Sequence, residues 1–178
     1  MDLIAALLDL CKTTPQPIIA IDGPAGAGKT TLAALIQRAL AKEFTIHLVH
    51  MDDLYAGWDC ALDANFTETL MKIVSSHKSA EGISFAKFNW KENIFEEKVQ
   101  HESKKLLILE GVGSGQRAIR EDLTSLIWID ITPLDGLTRV IARDGSEIEI
   151  HMQKWLTSQS EHFRENSTQE ESDFILTT

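Results

Sequence analysis

A chain of 178 residues, 43% hydrophobic and 25% charged, is long enough to bury one sizeable core. Its formal net charge of −10 argues against nucleic acid as a partner, because phosphate backbones reward basic surfaces. The two cysteines, Cys11 and Cys60, offer neither a disulfide framework nor a C-x-x-C metal pair, and no apolar run reaches transmembrane length. Together these features fit a cytoplasmic protein with no membrane partner.

Residues 1–10 are apolar, but Asp2 stands where a signal peptide carries its basic region and Asp9 interrupts the run. Leu3, Leu7, Leu8 and Cys11 recur at helical spacing, so residues 1–14 read as an amphipathic helix appended to a single domain spanning 1–178. After Pro15 and Pro17, Ile18-Ile19-Ala20-Ile21-Asp22 forms an apolar run suited to a buried parallel strand.

Gly23-Pro24-Ala25-Gly26-Ala27-Gly28-Lys29-Thr30 then fits G-x-x-x-x-G-K-[ST], and Thr31 to Ala41 is rich in helix formers. Strand, glycine turn and helix are the context that a phosphate-binding P-loop requires. Glycines let the backbone curl so that successive N–H groups point at one anion, and the helix adds its positive dipole end. Gly23, Ala25, Gly26, Ala27, Gly28, Lys29, Thr30 and Thr31 are the expected nucleotide-binding residues. Lys29 would reach the β- and γ-phosphates, and the Thr30 hydroxyl would hold Mg²⁺.

A second strand is expected over residues 45–49, an irregular stretch over 54–66, a helix over 67–77, a short strand within 83–90 and a helix over 93–102. Strands follow at 105–110 and 126–130. Thr132-Pro133 is an N-cap with proline at the first helical position, opening a helix that stops near Asp144-Gly145. A longer helix covers 147–165, and residues 174–176 close with an apolar run. Apolar strands alternating with helices indicate a parallel sheet covered on both faces.

Asp52 and Asp53 end the second strand, at the carboxyl edge where ligands bind in such sheets. There an aspartate can accept a proton from a hydroxyl or order Mg²⁺, but a pair of turn aspartates capping backbone N–H groups fits equally. Glu110 ends the third strand and is the expected second Mg²⁺ anchor, with Asp130 competing. Arg139 and Arg143, four apart, share a helix face that could close over phosphates or simply be solvated. Trp58, Phe66, Phe88 and Trp90 fall where a substrate pocket would lie, or in the core. His47 and His50 read as structural. Gly113-Ser114-Gly115-Gln116-Arg117-Ala118 fits the dinucleotide fingerprint, but counted from Gly111 its third position is Gln116 and the following helix would be very short. No Asn-Lys-x-Asp follows the P-loop, which argues against a GTPase.

The stretch from Ile19 to Thr31 resembles the opening of small-molecule P-loop kinases of the uridine kinase, nicotinamide riboside kinase and cytidylate kinase type. Met51-Asp52-Asp53-Leu54-Tyr55 resembles their D-x-[FYL]-[FY] segment, Leu109-Glu110-Gly111 their Glu-Gly, and Arg139 to Asp144 their R-x-x-x-R-D lid. Trp155 to Phe163 and Asp173 to Leu176 resemble their last helix and strand. The lid lacks a further Arg-Gly, and residues 58–90 match none of these groups.

The resemblance implies an α/β three-layer sandwich of the P-loop NTPase type. Its five-stranded parallel sheet would run in order 2-3-1-4-5, and ATP and Mg²⁺ would serve as cofactors. On this reading Thr30, Glu110 and Asp52 hold Mg²⁺, Asp52 takes a hydroxyl proton, and Lys29, Arg139 and Arg143 stabilise the transferring phosphoryl group. The acceptor would be a nucleoside-like small molecule, and the protein a monomer or homodimer. A nucleoside monophosphate kinase, or a P-loop ATP-binding or hydrolysing accessory protein, are the alternatives.

Overall fold

The computed structural model describes residues 2–178. Five strands make one parallel sheet: β1 (Ile18–Asp22), β2 (Ile46–His50), β3 (Leu106–Glu110), β4 (Ser125–Asp130) and β5 (Phe174–Thr177). Their spatial order is β2-β3-β1-β4-β5, the order that the resemblance implies. The helices are α1 (Leu3–Thr13), α2 (Lys29–Leu40), α3 (Ala64–Lys78), α4 (Pro133–Asp144) and α5 (Glu149–Asn166).

All five residues of β1 and of β3 are buried, which is why both read as continuous apolar runs rather than alternating ones. Each strand nevertheless feeds two separate cores by its period of two. Ile19, Ile21, Leu106 and Ile108 pack against Ala33, Ile36 and Leu40 of α2 and against Leu7 and Cys11 of α1. Ile18, Leu107 and Leu109 point the other way, onto Phe66, Leu70 and Ile73 of α3 and Met152 and Trp155 of α5. The sheet order reverses between β3 and β1, so their carboxyl ends open a crevice at Asp22 and Glu110.

Three expectations are corrected. The helix expected over 93–102 is absent. Ser84–Phe85 pairs antiparallel with Val99–Gln100, and Phe88–Asn89 with Ile94–Phe95. The Asn89 side-chain oxygen accepts the N–H groups of Lys91 and Glu92, each at 3.1 Å, and Asn93 takes a left-handed φ of 54°. That turn chemistry outweighs the helix propensity of a segment with no apolar stripe to bury. The single strand expected within 83–90 is accordingly split into two-residue pieces. Helix α3 also starts earlier than expected, at Ala64, because Asp63 caps it by accepting the Phe66 N–H at 2.9 Å.

One helical glycine fixes the layer spacing beside the crevice. A Cβ on Gly136 of α4 would lie 2.5 Å from the Ala25 carbonyl oxygen, and one on Gly26 would lie 2.3 Å from the Gly136 oxygen. Backbone therefore rests on backbone, and α4 sits directly on the glycine turn. In an exposed helix interior, Gly→Ala stabilises by roughly 1 kcal/mol. Here Gly136→Ala should instead destabilise by about 1–3 kcal/mol, the range for overpacking. Denaturant titration of the two proteins measures the sign directly.

Candidate functional site

The chain leaves β1 at Asp22 and turns through residues 23–28 into α2. Gly28 caps α2 with φ of 95°, a conformation that only glycine adopts cheaply. Lys29 is buried, and its Nζ donates to the carbonyl oxygens of Gly23 (2.7 Å) and Pro24 (2.8 Å). Burial lowers its pKa, while the carboxylates of Asp22, Glu110 and Asp52 counteract that fall.

Asp22 is the main residue that the sequence reading missed. Its side chain is fully buried and accepts N–H groups from Gly23 (2.8 Å), Gly113 (3.1 Å) and Gly115 (2.9 Å). Burial pushes its carboxyl up to about 6, against the pull of these donors and of Lys29. Both oxygens act as acceptors, so the geometry suits the ionised form. The dinucleotide-like Gly113-Ser114-Gly115 thus has its two glycine amides turned inward to Asp22 and is followed only by a 3₁₀ segment, Arg117–Asp122. The one available signal was an acidic residue directly ending an apolar strand before the glycine turn.

At the end of β3, Glu110 accepts the Thr30 hydroxyl at 3.1 Å and also the Nδ1 of His50. That contact raises the pKa of His50. His50, expected to be structural, therefore orients a site carboxylate. Asp130 lies elsewhere: it accepts the Trp128 indole N–H at 3.3 Å and does not line the cavity. A hydroxyl and a carboxylate held together are hard oxygen donors suited to Mg²⁺, which takes one or two carboxylates and completes its shell with phosphate and water. Among the described residues no cluster of three or more His, Cys, Asp or Glu side chains is arranged to hold a metal ion.

Asp52 and Asp53 occupy one 3₁₀ turn, Met51–Asp53, after β2. They diverge. Asp53 pairs with Lys87 at 2.7 Å. Asp52 faces the cavity; it is open to that space, yet the surrounding walls exclude enough bulk water to raise its pKa, against the opposing charge of Lys29. Trp90 donates its indole N–H to the Asp52 carbonyl at 3.0 Å, so the small β excursion braces this turn.

Arg139 and Arg143 both border the cavity. Arg139 reaches Gly26 O (3.5 Å) and Thr178 Oγ1 (3.1 Å), while Arg143 forms a two-point pair with Asp144 at 2.7 and 2.6 Å. The cavity has a volume of about 680 Å³. One end is polar, with Ala25, Gly26, Gly28, Lys29, Thr30 and Thr31. The other is walled by Tyr55, Trp58, Trp90, Ile148, Met152 and Trp155. Gly23 and Ala27 do not line it but support the loop from behind: a Cβ on Gly23 would lie 2.3 Å from Ile129 O. Of the four expected aromatics, Trp58 and Trp90 reach the cavity, while Phe66 and Phe88 are core. Tyr55 and Trp155 were not anticipated there.

This fold and this loop define a P-loop NTPase domain of kinase-like architecture. Residues 1–172 match the KAP family P-loop domain, and the chain belongs to that family. No curated protein matches the sequence. Among solved structures the chain is similar to a possible uridine kinase from Bacillus stearothermophilus, with TM-score 0.68 and 18% identity over 99% of this chain and 100% of that one. It is also similar to a protein assigned as a fructose transport system kinase from Silicibacter sp. TM1040, with TM-score 0.70 and 16% identity over 98% and 99%. At these identities the likeness is one of fold. Among the described residues no helix is long and apolar enough to cross a membrane.

Two variants test the site. Asp22→Asn puts an NH₂ group against backbone donors and should cost about 1.5–3 kcal/mol of stability at pH 7, the range for hydrogen bonds to charged groups; thermal melts check it. Glu110→Gln should raise the Mg²⁺ concentration needed for tight ATP binding, while Asp130→Asn should not. Calorimetric titrations of ATP at several Mg²⁺ levels separate the two.

Proposed function

We propose that this domain is a cytoplasmic ATP-dependent phosphotransferase that moves the γ-phosphate to a hydroxyl of a small, nucleoside-like molecule. The observation that carries this reading is that Asp52 shares one cavity with Lys29, while its neighbour Asp53 is diverted to Lys87. A carboxylate across from a phosphate-binding lysine is placed to accept a proton.

On this reading Lys29 and the loop amides seat the β- and γ-phosphates. Thr30 and Glu110, with Asp52 through water, would hold Mg²⁺, which when bound neutralises charge on the phosphate oxygens. Asp52 takes the proton of the acceptor hydroxyl, whose oxygen forms the new bond to the γ-phosphorus. The bond from that phosphorus to the β,γ-bridging oxygen breaks, and ADP leaves with the electron pair. The desolvation that raises the Asp52 pKa makes it a stronger base toward a hydroxyl. Arg143 and Arg139 lie on the α4 face that borders the cavity, and on this reading they would stabilise the transferring group.

The aromatic end of the cavity supports an uncharged acceptor body. A nucleotide monophosphate would need further cations, and Lys29, Arg139 and Arg143 are the only basic side chains lining the cavity among the described residues. A second reading, ATP hydrolysis without a metabolite acceptor, is favoured by the two-point pairing of Arg143 with Asp144, which occupies the guanidinium.

An ADP-release screen over nucleosides, sugars and vitamins separates the two. Release that rises with one acceptor supports the transferase; release indifferent to every acceptor supports hydrolysis. With an acceptor found, Asp52→Asn should lower turnover by ~10²–10⁴-fold with ATP affinity retained, the span of general-base catalysis. Asp53→Asn should leave turnover within a few-fold of the parent. Equal losses in both variants would remove Asp52 from the base role.

A further inference from the structure

One face of α5 reaches both the cavity wall and the phosphate loop. Met152 and Trp155 wall its aromatic end, and Gln159, one turn beyond Trp155, reaches the phosphate loop. The Gln159 side chain is 5% exposed, and its Oε1 accepts the backbone N–H of Ala25 at 3.1 Å. Ala25 is itself part of the polar lining. This is a side chain 134 residues away in sequence, holding an amide of the loop that seats the phosphates.

The contact has consequences because the other side of the loop is also held. Gly136 of α4 lies against Ala25 and Gly26 with no room for a Cβ, and Arg139 donates to Gly26 O. The two helices thus meet at Ala25, α4 by backbone contact and α5 by one part-buried hydrogen bond. Trp155, meanwhile, packs on Tyr55 (ring centroids 5.4 Å apart) and on Trp58 (6.1 Å), both acceptor-end residues. A part-buried amide that lost Gln159 would need a new partner, so the loop and α5 move together or pay with an unmade hydrogen bond.

We propose that Gln159 is a positioning residue that couples phosphate occupancy of the P-loop to the α5 wall of the acceptor space. Seating a β-phosphate on the neighbouring loop amides fixes the backbone at Ala25, whose N–H holds Gln159, and α5 carries that restraint to Met152 and Trp155. The inference needs only phosphate binding at the P-loop and stands apart from the identity of the acceptor.

Hydrogen exchange of the whole chain, with and without Mg²⁺ and ADP, tests it. ADP should slow exchange in 23–31 and also in α5 of the parent protein. In Gln159→Met, similar in length but without the amide, protection should remain in 23–31 and be lost in α5, with ADP affinity down at least about fivefold, the lower end of a typical coupling. Gln159→Glu keeps an acceptor oxygen for Ala25 N–H and should restore α5 protection, a rescue that a merely structural role would not give. Bound ADP with no α5 protection in the parent, or equal α5 protection in Gln159→Met, overturns the coupling. Absence of ADP binding in the parent would overturn the phosphate site as well, a distinct result.

Discussion

The site depends on one buried carboxylate. Asp22 ends the central strand, fully removed from solvent, and accepts backbone N–H groups from the loop after β1 and from the loop after β3. A buried charge is tolerated only where hydrogen bonds replace its lost hydration. Here the replacement comes from two loops at once, so satisfying the charge also fixes the loops to each other. The crevice between the ends of β1 and β3 takes its shape from that requirement. Lys29, whose burial would otherwise favour the neutral amine, remains beside Asp22, and each offsets part of the other's desolvation.

Around this anchor the two faces of the sheet do different work. The face bearing α1 and α2 is a plain aliphatic core, and it holds the helix whose first turn presents Lys29 and Thr30. The face bearing α3 and α5 grades from core into cavity wall, so that Trp155 is core against Tyr55 and lining beside Met152. Packing and recognition are therefore continuous on that side. The small β excursion adds Trp90 to the wall and ties itself to the Asp52 turn through the indole N–H and through Lys87 with Asp53.

Much of the fold was legible because it rests on local rules. The apolar runs of β1 and β3, the glycine turn before Lys29, and the Thr132-Pro133 helix start each carry their structure in adjacent residues. Where geometry depends on distant partners, the sequence was silent or misleading. Residues 93–102 carry ordinary helix formers, and the Asn89 turn and the pairings of Phe88 with Phe95 and Phe85 with Val99 make them strands instead. The pairing of Thr30 with Glu110 followed from strand order, but His50 on the same carboxylate did not. Gln159 has no sequence signature, since its partner is a main-chain amide. The glycines at 113 and 115 suggested a ligand loop, yet their amides serve Asp22 within the protein.

The proposed chemistry requires that the loop between β1 and α2 seat the phosphates of ATP with the terminal one facing Asp52. A crystal structure with Mg²⁺ and a non-hydrolysable ATP analogue tests it most directly. In that complex Lys29 Nζ should leave the carbonyls of Gly23 and Pro24 for the β- and γ-phosphate oxygens, the cation should lie against Thr30 and Glu110, and the γ-phosphate should open toward Asp52 and the aromatic wall. An analogue bound with its triphosphate outside this loop, or with its γ-phosphate turned away from Asp52, would contradict it.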